Sequence, residues 1–516
     1  EADEDQAGQI NYDEFVAWIT GVDCAILAEK SKVVQMGRHA VRGCFNASSS
    51  IRIKENSISE YYDIGNKCLG EGGFGTVYTA KSQDSGKMFA IKQVPLKMVT
   101  RTDLEREIDI MGRLDHPNIL QLHEVYEERD ILFLVIELCS GGELFDFIVQ
   151  GDGVTERQVA LLMQQLLSGV CHMHNRGICH RDLKAENFLL KQSADKCPVE
   201  KLELKIIDFG GAVPFVHGQP IAAHELNVGT VEYMSPERAD PSGDVRYDEK
   251  CDVWALGVTM FVLIAGSLPF EGSTENQTMD LIHKGQYELD PEVWDQVSPE
   301  TKAYMLRLLT VDPARRTSAQ GAIDDPWMQR MCLSGRRNSD SKLPMTAFSN
   351  MKEFSSQNKL KKATMHWMAR RMGEAEMESL GETFKALDKD GDGTLTYEEL
   401  RAGLAEHGDD GIVAQMRGIM EGVDLSWTGS MNYTEFLAAA MKKKRCQQER
   451  ACRVAFHEFD RDGDGTIDRK ELASVLHNSD LQEWCHSSTV KEVLAAVDTN
   501  GDGLITFDEF MQMMRT

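Results

Sequence analysis

Cysteine pairs, long apolar runs and positive charge are what this sequence lacks, and each absence removes a class of protein. The 12 cysteines form no Cys-x-x-Cys pair, and the closest two, Cys446 and Cys452, match no common zinc spacing. Thiols scattered through 516 residues read as reduced, mostly buried cysteines of a cytosolic chain. The longest uncharged apolar run, Val253 to Gly266, has 14 residues. A bilayer needs about 20, so the run is expected to be a buried helix and no transmembrane segment is expected. Lys and Arg number 56 against 83 Asp and Glu, a net charge of −27. That deficit argues against nucleic-acid binding and points to cation binding or disorder. No secretory leader is visible, and the chain opens on Glu1. The expectation is a cytoplasmic protein in which any membrane attachment through a lipid would come from residues ahead of Glu1.

What is present begins with a repeat. Asp388, Asp424, Asp460 and Asp498 each open a twelve-residue loop, at offsets of 36, 36 and 38 residues. Each has Gly at position six (Gly393, Gly429, Gly465, Gly503) and Glu at position twelve (Glu399, Glu435, Glu471, Glu509). A calcium ion takes six to eight oxygens, and position six must turn sharply, which glycine does at least cost. The first loop offers Asp388, Asp390, Asp392, the Thr394 carbonyl, Thr396 and Glu399. The third offers Asp460, Asp462, Asp464, the Thr466 carbonyl, Asp468 and Glu471; the fourth, Asp498, Asn500, Asp502, the Leu504 carbonyl, Thr506 and Glu509. All three carry the full EF-hand pattern. The second loop (Asp424, Ser426, Thr428, the Ser430 carbonyl, Glu435) is weaker, because Ser426 and Thr428 replace the usual acids at positions three and five. A further loop at the start (Asp3, Asp5, the Gln9 carbonyl, Glu14) has Ala7 where an oxygen is needed, and is expected to be at best a doubtful site.

A second set of motifs lies between. Gly70-Glu-Gly72-Gly-Phe-Gly75-Thr-Val77 sits between two β-like runs, where absent side chains let backbone N–H groups approach phosphate oxygens. Lys92, in Ala90-Ile91-Lys92, can hold phosphates if a carboxylate orients it, and Glu107 in the helical stretch Asp103 to Leu114 is the candidate. His180-Arg181-Asp182-Leu183-Lys184-Ala185-Glu186-Asn187 is followed by Asp208-Phe209-Gly210 and Ser235-Pro236-Glu237. Phosphoryl transfer needs in-line positioning and charge neutralisation. Asp182 suits a hydroxyl's proton, Lys184 the transferring phosphoryl, and Asn187 and Asp208 a Mg²⁺ ion.

With these motifs the stretch 61–330 resembles the eukaryotic protein kinase domain over its full length. The resemblance implies ATP and Mg²⁺, serine/threonine specificity from Asp182-Leu183-Lys184, and an adenine pocket of Leu69, Val77, Ala90 and Ile136 with hinge groups from Glu137 and Cys139. It also implies a Glu237–Arg316 ion pair, a contact of Thr230 with Asp182, and substrate-reading acids at Glu143 and Glu186 that favour Arg upstream of the acceptor. The segment from Gly210 to Ser235 holds only Thr230 and Tyr233 as hydroxyl residues, so Glu225 is expected to supply fixed negative charge near Arg181.

From Arg336 to Met372 nine basic residues face only Asp340 and Glu353, with Phe348, Met351, Phe354, Leu360, Met365, Trp367 and Met368 as apolar anchors. Such a segment can enter the Met-lined groove of an acidic sensor, and residues 374–516, with 29 acids against 15 bases, follow directly. Kinase, junction and four EF-hands in this order resemble the calcium-dependent protein kinases of plants and apicomplexan-like protists. The implied fold is an α+β bilobal kinase joined to an all-α, calmodulin-like EF-hand domain. The expected divisions are a partial EF-hand at 1–20, a connector at 21–60, the kinase at 61–330, an autoinhibitory junction at 331–373 and the sensor at 374–516. By the resemblance the chain is a monomer in which calcium draws the junction out of the substrate groove. Lys442-Lys-Lys-Arg445 reads as a solvated basic cluster. A non-catalytic scaffold would have lost Lys92, Asp182 or Asp208; a calcium buffer would not need them.

Overall fold

The computed structural model describes residues 53–516 apart from 55, 73–74, 151–152, 194, 196, 222–228, 241–245, 334–342, 372–373, 406–409, 426–427, 443–446 and 479–486. The amino-terminal loop, Glu225, Ser426 and most of the Lys442–Arg445 cluster lie outside the described residues.

Alternating side chains build a six-stranded sheet: β1 (Ile53–Lys54), β2 (Tyr62–Gly72), β3 (Gly75–Ser82), β4 (Met88–Pro95), β5 (Leu122–Glu128) and β6 (Ile131–Glu137). Their order is β1-β5-β6-β4-β3-β2. Period-two alternation sends Phe89, Ile91, Phe133 and Val135 to one core and Ala90, Val94, Leu132, Leu134 and Ile136 to another on the opposite face. The short strand Ile53–Lys54 pairs with β5. The sheet therefore reaches back into the stretch expected to be a connector, where a two-residue strand has no periodicity to betray it.

The helix Arg101–Arg113 starts where the Thr100 side chain accepts the Asp103 N–H, and it buries Leu104, Glu107, Ile108, Ile110 and Met111. In the large lobe the helix Glu156–Asn175 opens with a Thr155–Gln158 capping box. It packs against Lys250–Ala265, the predicted buried helix, which Gly266 ends in the left-handed conformation at φ 69°. The Arg316 guanidinium, buried, grips both oxygens of Glu237 at 2.8 and 2.7 Å and also reaches the Lys250, Thr310 and Val311 carbonyls.

Two junction helices follow, Met345–Ser355 and Lys359–Arg371. Ala347, Phe348, Met351, Phe354, Leu360, Met365 and Met368 share one core with EF-hand residues such as Met416, Met420, Phe436, Leu472 and Met511. The resemblance implies that this segment blocks a substrate groove without calcium and is gripped by the EF-hands with it; here its apolar face lies inside the sensor. Lys362 Nζ donates to the Ser355 and Gly422 carbonyls at 2.7 and 2.8 Å. Burial, with Lys359 nearby, pushes its pKa down to about 8. At the junction's end the Arg371 guanidinium stacks 4.2 Å over Trp367 and bonds Glu124 on β5. Glu124 also accepts Tyr126 at 2.6 Å and Tyr62 at 3.0 Å, while Lys54 bridges it to Glu458, just before the third calcium loop. Burial opposes charge on Glu124, but Arg371 and Lys54 outweigh it and hold the carboxyl well below its ordinary range.

Replacing Arg316 by Ala would leave Glu237 buried without its countercharge. The expected loss is about 3–5 kcal/mol of stability, read as a lower urea midpoint for the large lobe.

Candidate active site and calcium loops

The turn between β2 and β3 pairs Gly72 with Gly75. Gly75 has φ 149°, and a Cβ there would lie 2.1 Å from the Gln93 carbonyl oxygen, so only glycine fits. A Cβ on Gly70 would meet nothing within 4 Å, which leaves its backbone open to a ligand. Register sets Val77 opposite Lys92, Ala90 opposite Ile136 and Phe89 opposite Glu137. Leu69, Val77, Ala90, Ile136, Glu137 and Cys139 thus fall along neighbouring strands and the segment that leaves them. Glu137 is further fixed by Lys205 Nζ at 2.8 Å and by the Gln121 N–H at 2.9 Å on its carboxylate.

Lys92 Nζ lies 3.1 Å from Glu107 Oε1. Burial works against the ammonium, yet Glu107 and Asp208 outweigh it and raise its pKa. The helix Arg101–Arg113 is therefore seated with its carboxylate turned inward.

The catalytic loop hangs from one side chain. Asp252, on the buried helix, accepts the His180 and Arg181 N–H groups at 2.8 Å each and His174 Nε2 at 2.9 Å. Burial opposes its charge, but these donors hold the carboxyl down at about 2. Arg181 takes the left-handed conformation at φ 72°, donates to the Gly211 carbonyl at 2.6 Å and to Tyr247 Oη at 3.2 Å, and its own carbonyl accepts Arg238 at 2.7 Å. Asp208 is likewise left-handed at φ 64°, with Phe209 buried 5.2 Å from the His180 ring. Two non-glycine residues held at positive φ are a local strain of about 1–3 kcal/mol each, met by these bonds.

The result converges on Asp182. Its Oδ1 accepts the Thr230 N–H and hydroxyl at 3.0 Å each; Lys184 Nζ lies 3.4 Å from Oδ2 and donates to Thr230 Oγ1 at 2.8 Å. Asn187 Nδ2 donates to the Asp182 carbonyl at 2.8 Å. Asp208 and Asn187 supply the hard oxygens that Mg²⁺ favours. Beside this cluster Glu143 has its carboxyl raised by burial and then by Asp146 and Glu186. One Glu186 oxygen is buried without a hydrogen-bond partner.

The sensor loops pair as Thr394–Leu395 with Met431–Asn432 and Thr466–Ile467 with Ile505–Thr506. In each loop the twelfth residue folds back. Glu399, Glu471 and Glu509 accept N–H groups from both ends of their loops, among them Lys389, Arg461 and Thr499 at 2.7, 2.6 and 2.9 Å. Asp388, Asp390 and Glu399 present oxygens within 4.8 Å of one another, as do Asp460, Asp462 and Asp464. Asp388 Oδ1 and Asp460 Oδ1 are buried without a hydrogen-bond partner. Burial, then Asp392 and Glu399, pushes Asp390 up to about 6, and the same causes raise Asp388 well above its ordinary value. Crowded carboxylates with orphaned oxygens fit a cation. The fourth loop ties Asp498 to the Gly501 and Gly503 N–H groups at 2.6 and 2.8 Å, with Asn500 and Asp502 accepting within the loop. In the second loop Glu435, fully buried, bonds the Leu425 and Asn432 N–H groups, and the Thr428 hydroxyl turns to the Ser430 carbonyl at 2.9 Å. That hydroxyl is satisfied within the loop, in keeping with the weaker pattern.

The fold and these sites define a protein kinase that carries EF-hand pairs. The protein kinase domain model matches residues 64–328, and the EF-hand domain pair matches 377–441 and 449–515. The chain is 36% identical over 477 residues to calcium-dependent protein kinase 9 of Arabidopsis thaliana, covering 91% of this chain and 84% of that protein. It is 34% identical over 467 residues to calcium-dependent protein kinase 5 of Plasmodium falciparum, covering 90% and 79%, and 35% identical over 465 to calcium-dependent protein kinase 19 of Oryza sativa, covering 89% and 83%. The chain belongs to the calcium-dependent protein kinase family. ATP and Mg²⁺ go with its kinase domain and Ca²⁺ with its EF-hands. Among the described residues no helix is long and apolar enough to cross a membrane.

The anchoring of His180 and Arg181 by Asp252, and of Arg181 by Tyr247 and Arg238, carries no spacing signal in the sequence. Because Asp252 is held near 2 against the usual 3.8, its stabilisation is present above about pH 4 and is lost as pH falls through 2. Unfolding followed against pH should show Asp252→Asn less stable by on the order of 2 kcal/mol at neutral pH, with the gap to wild type closing in acid.

Proposed function

We propose that this chain is a serine/threonine protein kinase whose transfer of the ATP γ-phosphate is switched on by calcium. The observation that carries the reading is a coincidence of two states. The Lys92–Glu107 pair is formed at 3.1 Å while the junction's apolar face lies within the EF-hand core.

In this reading Asp182 orients the acceptor hydroxyl and takes its proton. Lys184 neutralises the moving phosphoryl, and Thr230 fixes both side chains. Lys92, positioned by Glu107, holds the α- and β-phosphates under the Gly70–Gly75 turn, with adenine between Leu69, Val77, Ala90 and Ile136 and against the backbone of Glu137 and Cys139. Mg²⁺ on Asn187 and Asp208 would screen the phosphate charge. Calcium on the loops would remove the carboxylate repulsion and open the helix pairs. The junction then exchanges a substrate-mimicking position for the Met-rich faces on which Phe348, Met351 and Phe354 are buried. Switching from 1:99 to 99:1 needs about 5.5 kcal/mol of differential binding, which three or four sites can supply. The second loop (Asp424, Ser426, Thr428, Ser430, Glu435) and the amino-terminal loop (Asp3, Asp5, Gln9, Glu14) are the weak members, the latter an incomplete additional EF-hand. The chain acts as a cytoplasmic monomer on protein substrates.

Glu143 and Glu186, crowded and under-partnered, select Arg upstream of the acceptor. Replacing both with Ala should raise KM for an Arg-containing peptide by about tenfold or more and change kcat little. Phosphorylation of that peptide should rise steeply with free calcium and vanish in Asp182→Asn. Equal rates in chelator and in saturating calcium would sink the reading.

A further inference from the structure

The first calcium loop lies with one side against the large lobe. Gln320 Nε2 donates to the Asp390 carbonyl at 2.9 Å, and Ser168 Oγ donates to the Gly391 carbonyl at 2.7 Å. Ser168 is itself oriented. The Asn118 N–H donates to His116 Nδ1 at 2.9 Å, which leaves Nε2 to carry the proton, 2.9 Å from Ser168 Oγ. The relay His116 to Ser168 to Gly391 is thus ordered in one direction. The His172 ring packs beside the Asp392 carbonyl at 3.3 Å. A Cβ on Gly393 would fall 2.1 Å from His116 Cδ2, so the loop approaches the lobe as closely as a glycine permits. Thr434 and Asp115, at 3.0 and 2.8 Å, and Lys385 with Glu203 fix the rest of the same EF-hand pair to the lobe.

Two consecutive carbonyls, of Asp390 and Gly391, are therefore held from outside while the carboxylates of Asp388, Asp390 and Glu399 converge inside, within 4.8 Å. Pinning the backbone in this form costs free energy when the like charges stand unscreened, and the cost disappears once a divalent cation sits among them. Docking and calcium binding must then favour each other by the same factor. We propose that His116, Ser168 and Gln320 are positioning residues of the first calcium site, so that the kinase large lobe raises that loop's affinity for calcium. The proposal rests on the reading of the loop as a calcium site.

The test is calorimetric calcium titration of the full chain carrying E471Q and E509Q, so that the amino-terminal pair reports. Adding Gln320→Ala or Ser168→Ala should weaken the tighter remaining site by about threefold to tenfold each. Thermal unfolding in chelator separates lost affinity from lost fold, and Gln320, only part-buried, gives the variant least exposed to that difficulty. Unchanged affinity in a folded Gln320→Ala chain overturns the docking proposal and leaves the calcium reading standing. A parent chain that takes up no calcium in this pair overturns both.

Discussion

Gathered negative charge is the constraint under which this molecule is built. Carboxylates are buried or crowded at every working part of it, and each needs a cation or a set of N–H donors to stay ionised. Where the need is permanent, the chain supplies its own partner: Arg316 for Glu237, Lys92 for Glu107, Arg371 and Lys54 for Glu124, two backbone amides and His174 for Asp252. Where the need is conditional, no side chain is supplied. Asp388 and Asp460 keep an orphaned oxygen each, and Asp390 is pushed up to about 6. The difference between structural and regulatory acid is whether the countercharge is built in.

That division links the two ends of the chain. A burial cost of several kcal/mol per uncompensated ion is too large to leave in place, so a loop that lacks its own cation responds to one from solution. The junction shares the sensor's core: its anchors Phe348, Met351, Phe354 and Leu360 are fully part of the EF-hand cluster, not a strand of linker beside it. At its far end the junction finishes on Arg371, whose guanidinium is one corner of a network that includes Tyr62 and Tyr126 from the sheet and Glu458 from the sensor. Sheet, junction and third calcium loop meet there.

Much of this was legible in the sequence because local spacing carried it. The calcium loops, the Gly70–Gly75 turn and the residues from His180 to Asn187 are each contiguous, so residue type and offset predict which atoms converge. The Lys92–Glu107 pair was legible from a lysine that needs a carboxylate and a helical stretch that offers one, the Glu237–Arg316 pair only through family likeness. Long-range contacts without a motif were not. Arg371 and Glu124 are 247 residues apart, and Ser168 and Gly391 are 223 apart; a serine within a buried helix announces nothing about a loop that folds back onto it. The first strand was missed because two residues cannot display a period. The junction's position was legible as an amphipathic pattern, and its burial in the EF-hand core only as what the family likeness implies.

The anchoring of the catalytic loop has a mechanical consequence. Asp252, Arg238 and Tyr247, which fix His180 and Arg181, all belong to the large lobe. The bonds by which these three hold the loop lie within that lobe. A shift of the small lobe would therefore leave the loop that performs the chemistry assembled, so that each turnover would begin from a preassembled half.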